Sequence, residues 1–172
     1  MKNNVISNPD QAVIVALGSN MPGPYGSSRA LLEAALGAFE AHGLSVVARS
    51  GWWRSAAWPD PTGPAYTNGV AIVETRLGAV EVMAALHAVE TAFGRERGAA
   101  NAARTLDLDL VAYGREVGVF EGVELPHPRA AERLFVMGPL AEVAPGWMHP
   151  VLGESASALA ARASVGRDAA PI

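Results

Sequence analysis

Five consecutive residues, Leu106-Asp107-Leu108-Asp109-Leu110, alternate without a break between leucine and aspartate. Only an extended strand, whose side chains point to opposite faces with period two, sorts such a run into one apolar side and one acidic side. The leucine side demands a core. The acidic side puts two like charges about 6.6 Å apart along the strand. Hard divalent ions held by carboxylates and substrate phosphates suit such a surface, and a pair at this spacing could bridge two ions about 3.5–4 Å apart. Just upstream, the Gly/Ala-rich stretch from Gly94 carries Arg95, Arg97 and Arg104, planar and permanently charged forks that match phosphate oxygens. The combination points to phosphoryl or pyrophosphoryl transfer. A solvated outer face beside ordinary surface arginines is the other reading of the same residues.

The elements flanking this strand set the fold. Residues 1–10 read as a loose lead-in, and Ala12 to Leu17 is a continuous apolar run stopped by Gly18-Ser19-Asn20, the mark of a strand buried on both faces. Ser27 or Ser28 can cap a helix with Leu31, Leu32, Ala35, Leu36 and Phe39 at helical spacing, stopped by Gly43. A second strand is expected at about Leu44 to Trp52, a long loop from Trp53 to Pro64, and a third strand from Ala65 to Thr75. A helix from about Gly78 to Phe93 buries Val82, Leu86, Val89 and Phe93 and turns His87, Glu90 and Thr91 to a more polar side. Beyond the acidic strand, residues 115–124 read as a turn with a marginal strand. A short helical piece follows at Ala130 to Leu134, then a strand at Phe135 to Met137, a turn of helix ended by Pro145, a last helix from Ser155 to Ala163, and frayed residues 164–172.

Strand, helix, strand, strand, helix, strand over residues 12–113 is a βαββαβ order. It predicts an α+β, ferredoxin-like core with an antiparallel-rich sheet, both helices on one side, and a C-terminal extension. The 172 residues suit a single domain with no repeat or linker. A formal net charge of -4 argues against a general nucleic-acid binder, although a local basic pocket can coexist with it. Without cysteine there is no disulfide, thiol nucleophile or Cys-type zinc site. No apolar run approaches the roughly 18 residues of a membrane span, and no signal peptide is evident, so a cytoplasmic location is expected; a monomer is expected as well.

Several segments together resemble the 6-hydroxymethyl-7,8-dihydropterin pyrophosphokinase family, which moves a pyrophosphoryl group from ATP to a pterin alcohol in folate biosynthesis. They are Ala16-Leu17-Gly18-Ser19-Asn20, Tyr66-Thr67-Asn68, Phe93-Gly94-Arg95-Glu96-Arg97, Arg104-Thr105 running into the acidic strand, Leu125-Pro126-His127-Pro128-Arg129, and Glu132-Arg133-Leu134-Phe135-Val136. The resemblance spans about residues 13–153 and implies the same ferredoxin-like plan. It implies that Asp107 and Asp109 hold two magnesium ions between ATP and the pterin hydroxymethyl. Arg95 and Arg104 then reach the phosphates, with Arg97, His127 and Arg133 as further contacts, while His87 and Glu90 line the nucleotide pocket. Tyr66 and Phe135 are the rings that sandwich the pterin, Asn68 bonds its polar edge, and Trp58 is a candidate lid. Two alanines, Ala102 and Ala103, stand where the family usually has a proline before the arginine matched by Arg104. Stacking between two rings is worth roughly 0.5–1.5 kcal/mol per aromatic pair beyond burial, and an amide offers both donor and acceptor to an amino-oxo edge. A non-catalytic binding module on the same fold, and the same chemistry on another alcohol, are the alternatives.

Overall fold

The structure, a computed structural model, describes residues 8–57, 62–94 and 106–172. A six-stranded sheet runs through it. Its strands are β1 (Val13–Ser19), β2 (Ser45–Arg49), β3 (Trp53–Ser55), β4 (Tyr66–Glu74), β5 (Asp107–Tyr113) and, past a separate hairpin of β6 (Gly118–Phe120) and β7 (Val123–Leu125), β8 (Ala170–Pro171). The order is β5-β1-β4-β3-β8, with β2 also on β4, and each pairing is antiparallel. This is the expected α+β arrangement. Every residue of β1 is buried, as its unbroken apolar run requires.

Each face of the sheet has its own core, and side-chain parity along the strands decides which. Helices α1 (Ser28–Ala38) and α2 (Ala79–Ala92) share one side, packed on Val13, Val15, Leu17, Ala71, Val73, Leu108 and Leu110. The Ser27 side chain caps α1 by accepting the Ala30 N–H at 3.0 Å. The opposite face, carrying Ile14, Ala16, Val70, Ile72 and Val111, is covered by α3 (Leu134–Val143) and α4 (Ala156–Arg162). Among the described residues no helix is long and apolar enough to cross a membrane.

Three local expectations are corrected. Residues Phe135 to Met137 form part of helix α3 rather than a strand. A three-residue apolar run followed by Gly138-Pro139 carries no period of its own, and tertiary packing decides: Val136, Met137, Gly138, Pro139, Leu140 and Val143 are all buried there. The helix keeps Pro139 in its interior at the cost of one backbone hydrogen bond. Trp53 to Ser55, expected at the start of a loop, is strand β3. It follows β2 after an irregularity at Ser50, whose Oγ accepts the Val70 N–H at 2.9 Å while its own N–H donates to the Val70 carbonyl. Residues 164–172, expected to fray, are instead bonded to Glu132, Leu134 and β3.

Two tryptophans pin β3 through glycines. A Cβ on Gly69 would lie 2.6 Å from the Trp52 ring, and one on Gly138 would lie 2.5 Å from the Trp53 ring. Each indole is thus laid against backbone on its own face of the sheet. Trp52 Nε1 donates to Glu33 and Trp53 Nε1 to Glu142, at 2.8 and 2.9 Å.

Candidate functional site

The face under α3 and α4 changes character along the strands. On β4, Ile72 and Val70 belong to the core, and the next residues of the same parity are Asn68 and Tyr66. On β1, Ile14 and Ala16 are followed by Gly18; on β5, Val111 gives way to Asp109 and Asp107. Register aligns these positions. Gly18 is opposite Asn68 on one side and Asp107 on the other, and Ala16 lies between Val70 and Asp109. Where the helical cover stops, a cavity of about 420 Å³ opens on this floor. Gly18 keeps the floor low: a Cβ there would stand 3.3 Å from Asn68 Oδ1.

Nine residues singled out from the sequence line this one cavity: Tyr66, Asn68, His87, Glu90, Asp107, Asp109, His127, Arg133 and Phe135. Trp58, Arg95, Arg97 and Arg104 lie outside the described residues. Asp107 and Asp109 are half-buried on one side of β5, while Leu108 and Leu110 are buried on the other, as the alternation predicts. The two carboxylates face the cavity as a pair that could hold a divalent cation, and among the described residues no group of three or more His, Cys, Asp or Glu is placed to hold a metal ion.

Neighbouring elements hold these side chains. β5 is an edge strand, and its outward Leu108 N–H, midway between the two aspartates, donates to Glu90 Oε2 at 3.0 Å. Glu90, 1% exposed, sits on α2 one turn beyond His87. Buried Asn68 donates through Nδ2 to Ser55 Oγ at 2.9 Å, which directs its carbonyl oxygen toward Gly18. Ser55 was not singled out from the sequence; its role depends on the β3–β4 register, which no local pattern encodes.

His127 follows β7, its N–H donating to the Val111 carbonyl at 2.8 Å. Its Nδ1 accepts the Arg129 N–H at 3.2 Å, so the neutral ring carries its proton on Nε2. Burial lowers the imidazole pKa; the Asp109 carboxylate opposes that shift and Arg133 reinforces it. Arg133 immediately precedes α3, its guanidinium carbon 5.8 Å from the centre of the Phe135 ring. The cavity therefore has an aromatic and amide part, Tyr66, Asn68 and Phe135, and a part where the charged Asp107, Asp109 and Arg133 meet the His127 imidazole.

Known proteins share this plan and sequence. Residues 14–145 match the family model described as 7,8-dihydro-6-hydroxymethylpterin-pyrophosphokinase. A 2-amino-4-hydroxy-6-hydroxymethyldihydropteridine pyrophosphokinase from Synechocystis sp. is 39% identical over 144 residues, covering 83% of this chain and 71% of that protein. The protein of the same name from Pseudomonas aeruginosa is 39% identical over 140 residues, covering 78% and 82%. Among solved structures, wild-type HPPK-DHPS of Plasmodium falciparum superposes with a TM-score of 0.66 at 10% identity; 87% of this chain is covered but only 44% of that one, so that likeness speaks for the fold alone. With a match spanning most of the sheet and the cavity it floors, the chain belongs to the 7,8-dihydro-6-hydroxymethylpterin-pyrophosphokinase family.

Proposed function

We propose that the chain transfers the terminal pyrophosphoryl group of ATP to the hydroxymethyl oxygen of 6-hydroxymethyl-7,8-dihydropterin, giving the pterin diphosphate and AMP in folate biosynthesis. The observation that carries the residue assignment is the meeting, in one cavity, of an aromatic-amide part suited to a flat heterocycle and a charged part suited to phosphates.

The pterin lies between the Tyr66 and Phe135 rings, and Asn68 reads its polar edge. Fixed by Ser55, the Asn68 amide presents its groups in one orientation. Arg133 and the Nε2–H of His127 donate to phosphate oxygens, joined by Arg95, Arg97 and Arg104, while His87 and Glu90 line the nucleotide side. The pterin hydroxyl releases its proton to solvent water as its oxygen bonds to the β-phosphorus. The bond from that phosphorus to the oxygen bridging to the α-phosphate breaks, and AMP leaves with that oxygen. Positioning and charge neutralisation carry most of the acceleration, as in phosphoryl transfer generally.

Asp107 and Asp109 fit magnesium: two carboxylates from one strand face leave the remaining positions to phosphate oxygens and water, the usual manner of binding this ion. Two such ions would neutralise phosphate charge and make the hydroxymethyl oxygen more nucleophilic. The chain acts as a monomer in the cytoplasm, and Trp58 is the candidate for the lid residue.

Incubating the purified protein with Mg-ATP and the pterin tests the reading. AMP is expected, and only when magnesium and pterin are both present; ADP would mean that a single phosphoryl group is moved. Asp107→Ala and Asp109→Ala should each remove nearly all turnover while changing pterin affinity less. Near-parent activity in either variant would refute the metal assignment.

A further inference from the structure

The segment 164–172 lies beyond the family-matched residues 14–145 and touches two separate walls of the cavity. Its first half grips the start of α3. The Ser164 and Val165 N–H groups both donate to the Glu132 carbonyl, at 3.1 and 2.9 Å, and the Leu134 N–H donates to the Val165 carbonyl at 2.9 Å. Arg133 and Val165 form a parallel bridge. Next comes Gly166, with φ +69°, so close to Phe135 that a Cβ would lie 2.4 Å from ring Cδ1. Only glycine satisfies both the backbone angle and the contact.

The second half grips β3. Ala170 and Pro171 pair with Arg54 and Trp53, and the Ile172 N–H donates to the Trp52 carbonyl at 3.0 Å. Between the two halves the Asp168 carboxylate accepts the Ala56 N–H at 2.6 Å. Ala56 lines the cavity and directly follows Ser55, the hydroxyl that fixes Asn68.

We propose that residues 164–172 form a strap that positions the pterin-holding groups: Gly166 seats the Phe135 ring and Asp168 holds Ala56, and through it Ser55 and Asn68, at the opposite wall. The proposal rests on the pterin reading of the cavity given above. Gly166 and Asp168 are positioning residues, and their direct contacts fall on the pterin side, so their loss acts on the pterin rather than the nucleotide.

The test measures kcat, both KM values and direct pterin binding for the full chain and for Asp168→Ala, Asp168→Asn and Gly166→Ala. Loss of a short hydrogen bond to a charged acceptor should weaken pterin binding in Asp168→Ala about fivefold. A displaced ring and a non-glycine residue at positive φ should weaken it about tenfold or more in Gly166→Ala. KM for ATP should stay within about twofold in both. Asp168→Asn, which keeps an oxygen acceptor, should return toward the parent. Asp168 is exposed, so its alanine variant decides the matter even if Gly166→Ala does not fold.

Unchanged pterin binding in Asp168→Ala, with the parent turning over the same pterin, overturns the strap and leaves the functional reading standing. Equal losses for pterin and ATP overturn it too, since general loosening would produce them. A folded parent that binds no pterin removes the functional reading, and the strap's purpose with it.

Discussion

Truncating Glu90 separates two roles that one residue can play at this site. Its carboxyl is buried and accepts the Leu108 N–H at 3.0 Å, at the backbone position between Asp107 and Asp109. In Glu90→Ala that N–H loses its partner on a sheet edge covered by α2, at a cost of about 1–3 kcal/mol. The one methylene removed, Cγ, adds roughly 0.8 kcal/mol. Relief of a desolvated carboxyl offsets part of this, leaving a net destabilisation of about 2 kcal/mol. At about 2–4 °C per kcal/mol for a chain of this size, Tm falls by roughly 4–8 °C. Release of the strand at Leu108 also moves both aspartates, and a misplacement approaching 1 Å costs about 100-fold in rate, so kcat should drop by about 10- to 100-fold. Glu90→Gln retains an oxygen acceptor and should stay within about 1 kcal/mol of the parent. Thermal melts, steady-state kinetics and amide exchange at Leu108 read these effects together. If Glu90→Ala keeps its Tm and the protection of the Leu108 amide while only KM for ATP rises, Glu90 is a nucleotide contact and the strut argument is wrong.

Two further outcomes concern the fold. Gly69→Ala drives a methyl to 2.6 Å from a Trp52 ring held by Glu33 and stacked under Arg49, so overpacking should cost about 1–3 kcal/mol with a changed tryptophan emission; an unchanged melt would show that the indole yields freely. Glu33, which accepts two hydrogen bonds from Arg49 and one from Trp52, has its pKa lowered from 4.5 to about 2, chiefly by Arg49. A depressed carboxyl pKa stabilises the fold above the unfolded value and ceases to do so as pH falls through the folded one, so this contribution should fade between pH 4.5 and about 2. Its side chain is 42% exposed, and solvent screening limits the contribution to about 1 kcal/mol. Glu33→Gln should flatten that part of the stability profile, and an identical acid limb in both proteins would refute the assignment.

What could be read from the sequence was what local periodicity encodes. The Leu106–Leu110 alternation gives the buried and cavity-facing sides of β5, and the unbroken run of β1 gives a strand covered twice. Residues 134–143 were not legible as one helix, because their apolar character runs nearly all round and Gly138-Pro139 mimics a stop. Nor were Ser55 and the tail. Ser55 meets Asn68, and Gly166 meets Phe135, only through pairings between distant parts of the chain. Residue type alone left the paired carboxylates open between a metal site and a solvated face, and Tyr66, Asn68 and Phe135 were singled out by the family resemblance; the groups that hold those residues in place are visible only once register is known.

The alignment of Asn68, Gly18 and Asp107 makes the sheet a gauge block. Two inter-strand spacings separate the amide from the carboxylate, about 10 Å of backbone distance fixed by hydrogen-bond ladders rather than by any loop. Loops around such a floor can lengthen, shorten or change composition without disturbing the tolerance between the Asn68 amide and the Asp107 carboxylate. Insertion of one residue within β1 or β4 would break that tolerance at once, because the strand beyond it would present its opposite face.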